Sequence, residues 1–226
     1  MDSRVHSLSI NSTDERAVPM VYVVDDDESI RISLKGLLNS VGLGVQTFAS
    51  SEDFLTLPKS AVPSCLILDV RLRGKSGLTL QTELVNYDVR MPVLFVTAHG
   101  DIAMTVKAMK AGAFDFFTKP FNEQDMLDAV AQALSRDRAR LLAEQSVAAL
   151  RSCYASLTPR ERDVMNLVVA GMMNKQIATR MGLSEVTVKV HRGHVMKKMA
   201  ALSVADLVRK AEILGVRVDL CEGSEQ

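Results

Sequence analysis

The sequence predicts an α/β domain built on a five-stranded, doubly wound parallel sheet, followed by a helical linker and an all-α domain of four helices. Five short apolar runs alternate with helical patterns over the first half of the chain. The strand-like runs stop after Phe121. From Leu157 onward the periodicity is helical and is punctuated by capping residues and glycines. The boundaries read as a disordered tail over residues 1–18, the α/β domain over 19–134, the linker over 135–156, the all-α domain over 157–215 and a tail over 216–226.

The expected strands are Met20–Val24, Gly44–Phe48, Cys65–Asp69, Pro92–Thr97 and Phe114–Thr118. They are short and rich in Val, Ile, Leu and Phe, which suits strands covered on both faces. Between them, Ile30, Leu34, Leu37, Leu38 and Val41 recur at helical spacing. Ser50 has the character of an N-cap, and Leu78, Leu80 and Leu84, then Ile102, Val106 and Met109, continue the alternation. Asn122 is expected to cap a long helix in which Leu127, Leu134, Leu141 and Ala148 fall seven apart. The companion positions Ala131, Arg138 and Gln145 suit a coiled coil poorly, so a solvated linker and a weakly pairing helix both stay open. In the last domain Thr158, Pro159 and Glu161 form a capping box with proline at the first helical position. Asn174 is expected to cap a short helix ending at Gly182, Ser184 a longer one to about Ala200, and Ser203 the last, to about Leu214.

Composition narrows the classes. With 226 residues, 47% hydrophobic and 24% charged, the chain is of globular type, with room for two ordinary domains. The net charge of zero argues against a wholly nucleic-acid-coating protein, but it hides an asymmetry. Met20 to Leu134 holds 14 acidic and 10 basic residues, whereas Thr158 to Leu214 holds 5 acidic and 10 basic. Only the second half is suited to meet a polyanion. Cys65, Cys153 and Cys221 show no metal spacing and read as free thiols of a reducing cytoplasm. No apolar run approaches the ~18 residues of a membrane helix, so no membrane partner is expected. The first 18 residues lack the apolar centre of a signal peptide.

The chemistry concentrates at strand ends. Asp25, Asp26 and Asp27 follow the first strand, Asp69 ends the third, Thr97 the fourth, and Lys119 follows the fifth. In a doubly wound sheet these ends converge on one edge. An acid after a strand is ordinarily a helix cap; the joint pattern is what carries information. Crowded carboxylates repel unless a hard divalent cation such as Mg²⁺ neutralises them. A lysine and a threonine hydroxyl beside them complete a site for positioning a phosphoryl group.

The strings VYVVDDDES, LILDVRLRGKSG, VTAHGD and FDFFTKPF resemble the receiver domain of two-component response regulators, a flavodoxin-like fold. The resemblance covers Pro19 to about Leu134. It implies that Asp69 takes a phosphoryl group from a sensor histidine kinase. It also implies that Asp25, Asp26, Asp69 and the backbone carbonyl of Arg71 hold Mg²⁺ or Mn²⁺. Lys119 would pair with the carboxylate and then the phosphoryl oxygens, Thr97 would turn toward the phosphoryl group, and Phe116 would follow it inward. Ala98 is small, as the family prefers, and the Lys119–Pro120 bond is expected to be cis. Asp27 reads as a first-turn residue favoured by the helix dipole. One departure is Leu72–Arg73 where the family often has Met-Pro; the missing proline should loosen that loop.

LTPRERDVMNLVVAGMMNKQIATRMGLSEVTVKVHRGHVMKKM resembles the LuxR-type helix-turn-helix of the NarL/FixJ group, and the receiver sequence is most similar to the FixJ-like branch. On the helix after Ser184, Val188, His191, Val195 and Met199 share the face expected to pack inward. The opposite face carries Val186, Lys189, Val190, Gly193 and Lys197, which suits a major groove of double-stranded promoter DNA. Arg192 and Thr187 are expected at phosphates. The whole implies a cytoplasmic transcription factor, not an enzyme, that forms a homodimer on phosphorylation, works with RNA polymerase and most naturally activates. A phosphatase acting through Asp69 would need a second aspartate two residues on, where Arg71 stands.

Overall fold

The computed structural model describes residues 18–59, 61–72, 76–98, 100 and 102–216. The two expected tails therefore lie outside the described residues, apart from Val18 and Val216. The chain divides into two compact units that meet at Leu141 and Leu142.

The first unit is a parallel sheet in the order β2-β1-β3-β4-β5, formed by β1 (Met20–Val24), β2 (Gly44–Phe48), β3 (Ser64–Asp69), β4 (Val93–Thr97) and β5 (Asp115–Thr118). The helices are α1 (Glu28–Ser40), α2 (Ser51–Thr56), α3 (Gly77–Glu83) with a 3-10 turn at Leu84–Tyr87, α4 (Ile102–Lys110) and α5 (Glu123–Ala155). Three strands differ from expectation by one residue at their start. The central β3 is buried along its whole length, as is β4, because both have neighbours on both sides and helices on both faces. Successive side chains point to opposite faces, so β3 feeds two cores. Leu66 and Leu68 join Tyr22, Phe54, Leu80 and Phe95; Cys65 and Ile67 join Leu34, Leu38, Met126 and Val130.

Three expectations about the helices need correction. Asp27 is the N-cap of α1, its carboxylate accepting from the Ser29 N–H, and not a first-turn residue. Ile102, Val106 and Met109 on α4 are 85%, 44% and 44% exposed; Ala108 is the residue this helix buries, and Met104 packs beside it. Periodicity had marked an apolar stripe, but the stripe faces away from the sheet. On α5, Leu134 is buried and Leu127 partly so, both in the core with α1 and the sheet. The first two members of the seven-residue spacing are thus core contacts of this unit. The helical contact also runs past Leu134, because Asp137 is buried as well.

The second unit packs α6 (Pro159–Val169), α7 (Asn174–Met181), α8 (Glu185–Lys198) and α9 (Val204–Ile213) around Val164, Met165, Ile177, Val188, Val195 and Leu207. The capping box of α6 is formed, with Thr158 accepting from the Glu161 N–H and Glu161 accepting from the Thr158 N–H. Gly182 closes α7 at φ +65°, a left-handed conformation that glycine adopts without a Cβ penalty, and this makes the sharp turn into α8. Asn174 is not the cap of α7. Met173 holds that position, its N–H satisfied by Gln176 Oε1, and Asn174 is the first helical residue.

Candidate functional site

The parallel strands place their carboxyl ends on one edge, and the expected residues meet there. Asp25 leaves β1 as a buried residue, its carboxylate accepting from the Asp27 N–H. Asp69 ends β3 at 7% exposure. Its Oδ1 accepts from the Arg71 N–H at 2.9 Å and its Oδ2 from Lys119 Nζ at 2.9 Å. The same ammonium reaches Asp25 Oδ2 at 2.6 Å, so one cation bridges two carboxylates that are remote in sequence. Asp25, Asp26 and Asp69 each offer an oxygen, and these lie within 4.8 Å of one another. Three carboxylate oxygens at that spacing fit a hard divalent cation.

Burial pushes the Asp25 carboxyl above its ordinary value; its bonds to Lys119 and to the Asp27 N–H offset this only in part. For Lys119, burial acts to lower the ammonium, but its hydrogen bonds to Asp25 and Asp69 outweigh burial and hold it above its ordinary value.

Thr97 is fully buried at the end of β4. Phe116 is half-buried, its ring 6.4 Å from that of Phe95. Ala98 is exposed beside the site, and the Lys119–Pro120 bond is cis. Leu72 is 9% exposed and belongs to the core cluster that holds Val70 and Leu80, while the rest of the loop expected to loosen, from Arg73 to residue 75, lies outside the described residues. Two glycines that sequence reasoning passed over shape the site. A Cβ on Gly77 would lie 2.2 Å from the carbonyl oxygen of Asp69, and one on Gly100 would lie 3.1 Å from the Phe116 ring and 2.8 Å from Thr118 Cγ2.

In the second unit, α8 buries Val188 and Val195, and its C-cap Met199 is buried with them, as expected. His191 is only half-buried, and its Nδ1 is enclosed without a hydrogen-bond partner. Val186, Lys189, Val190, Gly193 and Lys197 are exposed together. Two of the expected phosphate contacts are otherwise engaged. Arg192 Nη1 donates to Asn174 Oδ1 at 2.8 Å, which ties α8 to the start of α7. The Thr187 hydroxyl pairs with that of Ser184 at the α8 cap.

Glu161 joins the start of α6 to the end of α8. Its Oε2 accepts from Lys198 Nζ at 2.6 Å as well as from the Thr158 N–H. The Lys198 bond first, then the Thr158 N–H, hold its carboxyl well below the usual range, at about 2. A folded-state pKa below the unfolded value contributes stability that is present above about pH 4.5 and lost as pH falls toward 2. Denaturant titrations of the full chain, followed at the Val188 and Val195 amides, should show this unit weakening across that window. In Glu161→Gln the unit should be weaker at neutral pH, with a flatter acid limb.

Comparison with known proteins matches the same two units. Residues 21–131 fit the family model "Response regulator receiver domain" and residues 155–211 the model "Bacterial regulatory proteins, luxR family". Nodulation protein W of Bradyrhizobium diazoefficiens is 51% identical over 213 residues, 94% of either chain. Response regulator protein TmoT of Ectopseudomonas mendocina is 45% identical over 195 residues, 86% of this chain and 89% of that one. Among solved structures, response regulator StyR matches with a TM-score of 0.79 at 47% identity, over 87% of this chain and 99% of that one. Full-length FixJ from B. japonicum matches at 0.51 and 37% identity, over 88% and 98%. With both halves matched and its relatives covered almost end to end, the chain belongs to the DNA-binding response regulators of two-component systems, in the NarL/FixJ group.

Proposed function

We propose that Asp69 is the phosphoacceptor and that its phosphorylation by a sensor histidine kinase switches this protein from a weak to a strong binder of promoter DNA. The observation that carries this is the Lys119 ammonium bonded to both Asp69 and Asp25 at the carboxyl edge of the sheet. A carboxylate oxygen of Asp69 attacks phosphorus, a P–O bond forms, the P–N bond of the kinase's phosphohistidine breaks, and the imidazole leaves and takes up a proton. Asp25, Asp26, Asp69 and the Arg71 carbonyl would hold Mg²⁺ or Mn²⁺, which supplies positive charge opposite the transferring oxygens. The Arg71 N–H fixes the Asp69 carboxylate, and Lys119 is placed to follow the new negative charge.

The acyl phosphate carries about two charges where there was one. Lys119 and Thr97 bond its oxygens, Phe116 fills the space that Thr97 vacates, and the surface of α4, β5 and α5 changes shape. The exposed Ile102, Val106 and Met109 give α4 an apolar face suited to a second copy, so phosphorylation promotes a homodimer. Each protomer offers Lys189, Val190, Gly193 and Lys197 to the major groove, with Thr187 and Arg192 nearer the backbone. The dimer reads two half-sites, engages RNA polymerase and activates transcription in the cytoplasm. No helix among the described residues is long and apolar enough to cross a membrane. The chain works as a switch and not as a turnover enzyme; the exposed Arg71 stands where an aspartate phosphatase would place its acid.

Incubation with acetyl phosphate and Mg²⁺ should place one phosphoryl group on Asp69, read by peptide mass spectrometry, and raise promoter affinity and dimer fraction together. Asp69→Asn should take no label and show neither rise. Label on another residue, or an unchanged affinity after full labelling, rejects the assignment. On the DNA side, Lys189→Ala should weaken binding and lower the slope of log affinity against log salt by about one. An unchanged slope places Lys189 off the DNA.

A further inference from the structure

Asp137 is a carboxylate buried to 1% exposure on α5, far along the chain from the acidic cluster and with no part in it. It lies six residues beyond the stretch that matches the receiver family model. Both of its oxygens are bonded. Oδ2 accepts from the Ser64 N–H at 2.8 Å, and Oδ1 accepts from Arg140 Nε at 2.8 Å. Ser64 is the first residue of β3, the strand whose last residue is Asp69. The central strand is therefore held by a charged group at each end: Asp137 where it begins and Lys119 where it finishes.

A buried carboxylate is expensive unless every oxygen is bonded, and this one also satisfies the buried Ser64 N–H. What a fully bonded one supplies is a single geometry. Asp137 fixes both the rotation and the register of α5 against the sheet, because a step of one residue turns a helix by about 100° and would carry the carboxylate away from Ser64. It is also the last residue that α5 buries, and the same helix continues to Ala155.

Resting on the phosphorylation switch above, we infer that Asp137 is a positioning residue for that switch. It keys the linker helix to the strand bearing the phosphoacceptor, so that a shift at the phosphorylated edge is carried along α5 and not lost as rotation of an unkeyed helix. Arg140 closes the key from outside.

The test uses the full chain as Asp137→Asn, Arg140→Ala and Arg140→Lys, with acetyl phosphate and Mg²⁺ as donor. The Asp69 labelling rate should stay native in all three. The gain in promoter affinity on labelling, about tenfold or more in the native chain, should fall to about twofold or less in Asp137→Asn and Arg140→Ala and return in part in Arg140→Lys. If Asp137→Asn does not fold, Arg140→Ala decides alone, since its side chain is already 30% exposed. A native gain in the key variants overturns the inference. So does an equal loss of gain in Ala133→Gly, a core variant that weakens α5 while leaving the key in place. Failure of the native chain to label at all would instead sink the phosphoacceptor assignment.

Discussion

Gly77→Ala should be the most damaging single-methyl change in the receiver unit. The new Cβ would sit 2.2 Å from the Asp69 carbonyl oxygen, 3.1 Å from its carbonyl carbon and 3.2 Å from Leu68 Cγ. Two of these atoms are backbone in a fully buried strand and cannot swing aside. The start of α3 must lift off, breaking the Gly77 N–H bond to the Val70 carbonyl and moving the segment that holds the Asp69 carboxylate. Overpacking of this kind costs about 3 kcal/mol. A displacement near 1 Å in the attacking group slows transfer by about a hundredfold. Denaturant midpoints and the rate of labelling by acetyl phosphate measure the two effects. Gly36→Ala is the matched control. Gly36 lies within α1 with open space around its would-be Cβ, so alanine there should add about 0.5–1 kcal/mol. Native labelling in Gly77→Ala would mean that this contact does not position Asp69.

Lys119→Ala is expected to be nearly as costly, for an electrostatic reason. Lys119 Nζ lies 2.6 Å from Asp25 and 2.9 Å from Asp69, and both carboxylates are buried. Removing it leaves two charges without their shared counterion, a loss of about 3 kcal/mol. A divalent cation that binds only the folded chain should return most of this by mass action. The variant should therefore show a larger Mg²⁺-dependent rise in denaturant midpoint than the native protein. Labelled Lys119→Ala should also lack the gain in promoter affinity, since nothing follows the phosphoryl charge. Native stability without Mg²⁺ would contradict this electrostatic account. Lys119→Arg should fall between, because a planar guanidinium cannot place one nitrogen against both acids in the same way.

The residues at the carboxyl edge of the sheet were legible because each closes an apolar run. Parallel topology alone then carries Asp25, Asp69, Thr97 and Lys119 to one edge, whatever their separation in sequence. Gly77 was not legible, because a glycine announces nothing about the carbonyl it lies against. Asp137 sits in Ser135–Arg140, a stretch that reads as a solvated charged face; its burial depends on Ser64, 73 residues away. Arg192 and Asn174 were assigned separately, one to phosphate and one to a cap, and the structure bonds them to each other. Local rules gave each a plausible local partner, and the tertiary pairing satisfied both at once. On α4, spacing located a stripe without saying which way it faces, because Ala108 buries a helix face as effectively as a larger residue where the sheet comes close.

Gly193 sits in the interior of α8 with helical neighbours, ordinary φ and nothing within 4 Å of a would-be Cβ. Glycine weakens a helix interior by about 1 kcal/mol, so the fold has no need of it there and would gain from replacing it. The position is a blank letter on the face proposed to read DNA. On the proposed reading of α8, Gly193→Lys should shift promoter preference toward guanine and Gly193→Asn toward adenine, while the packing behind the helix stays as it is.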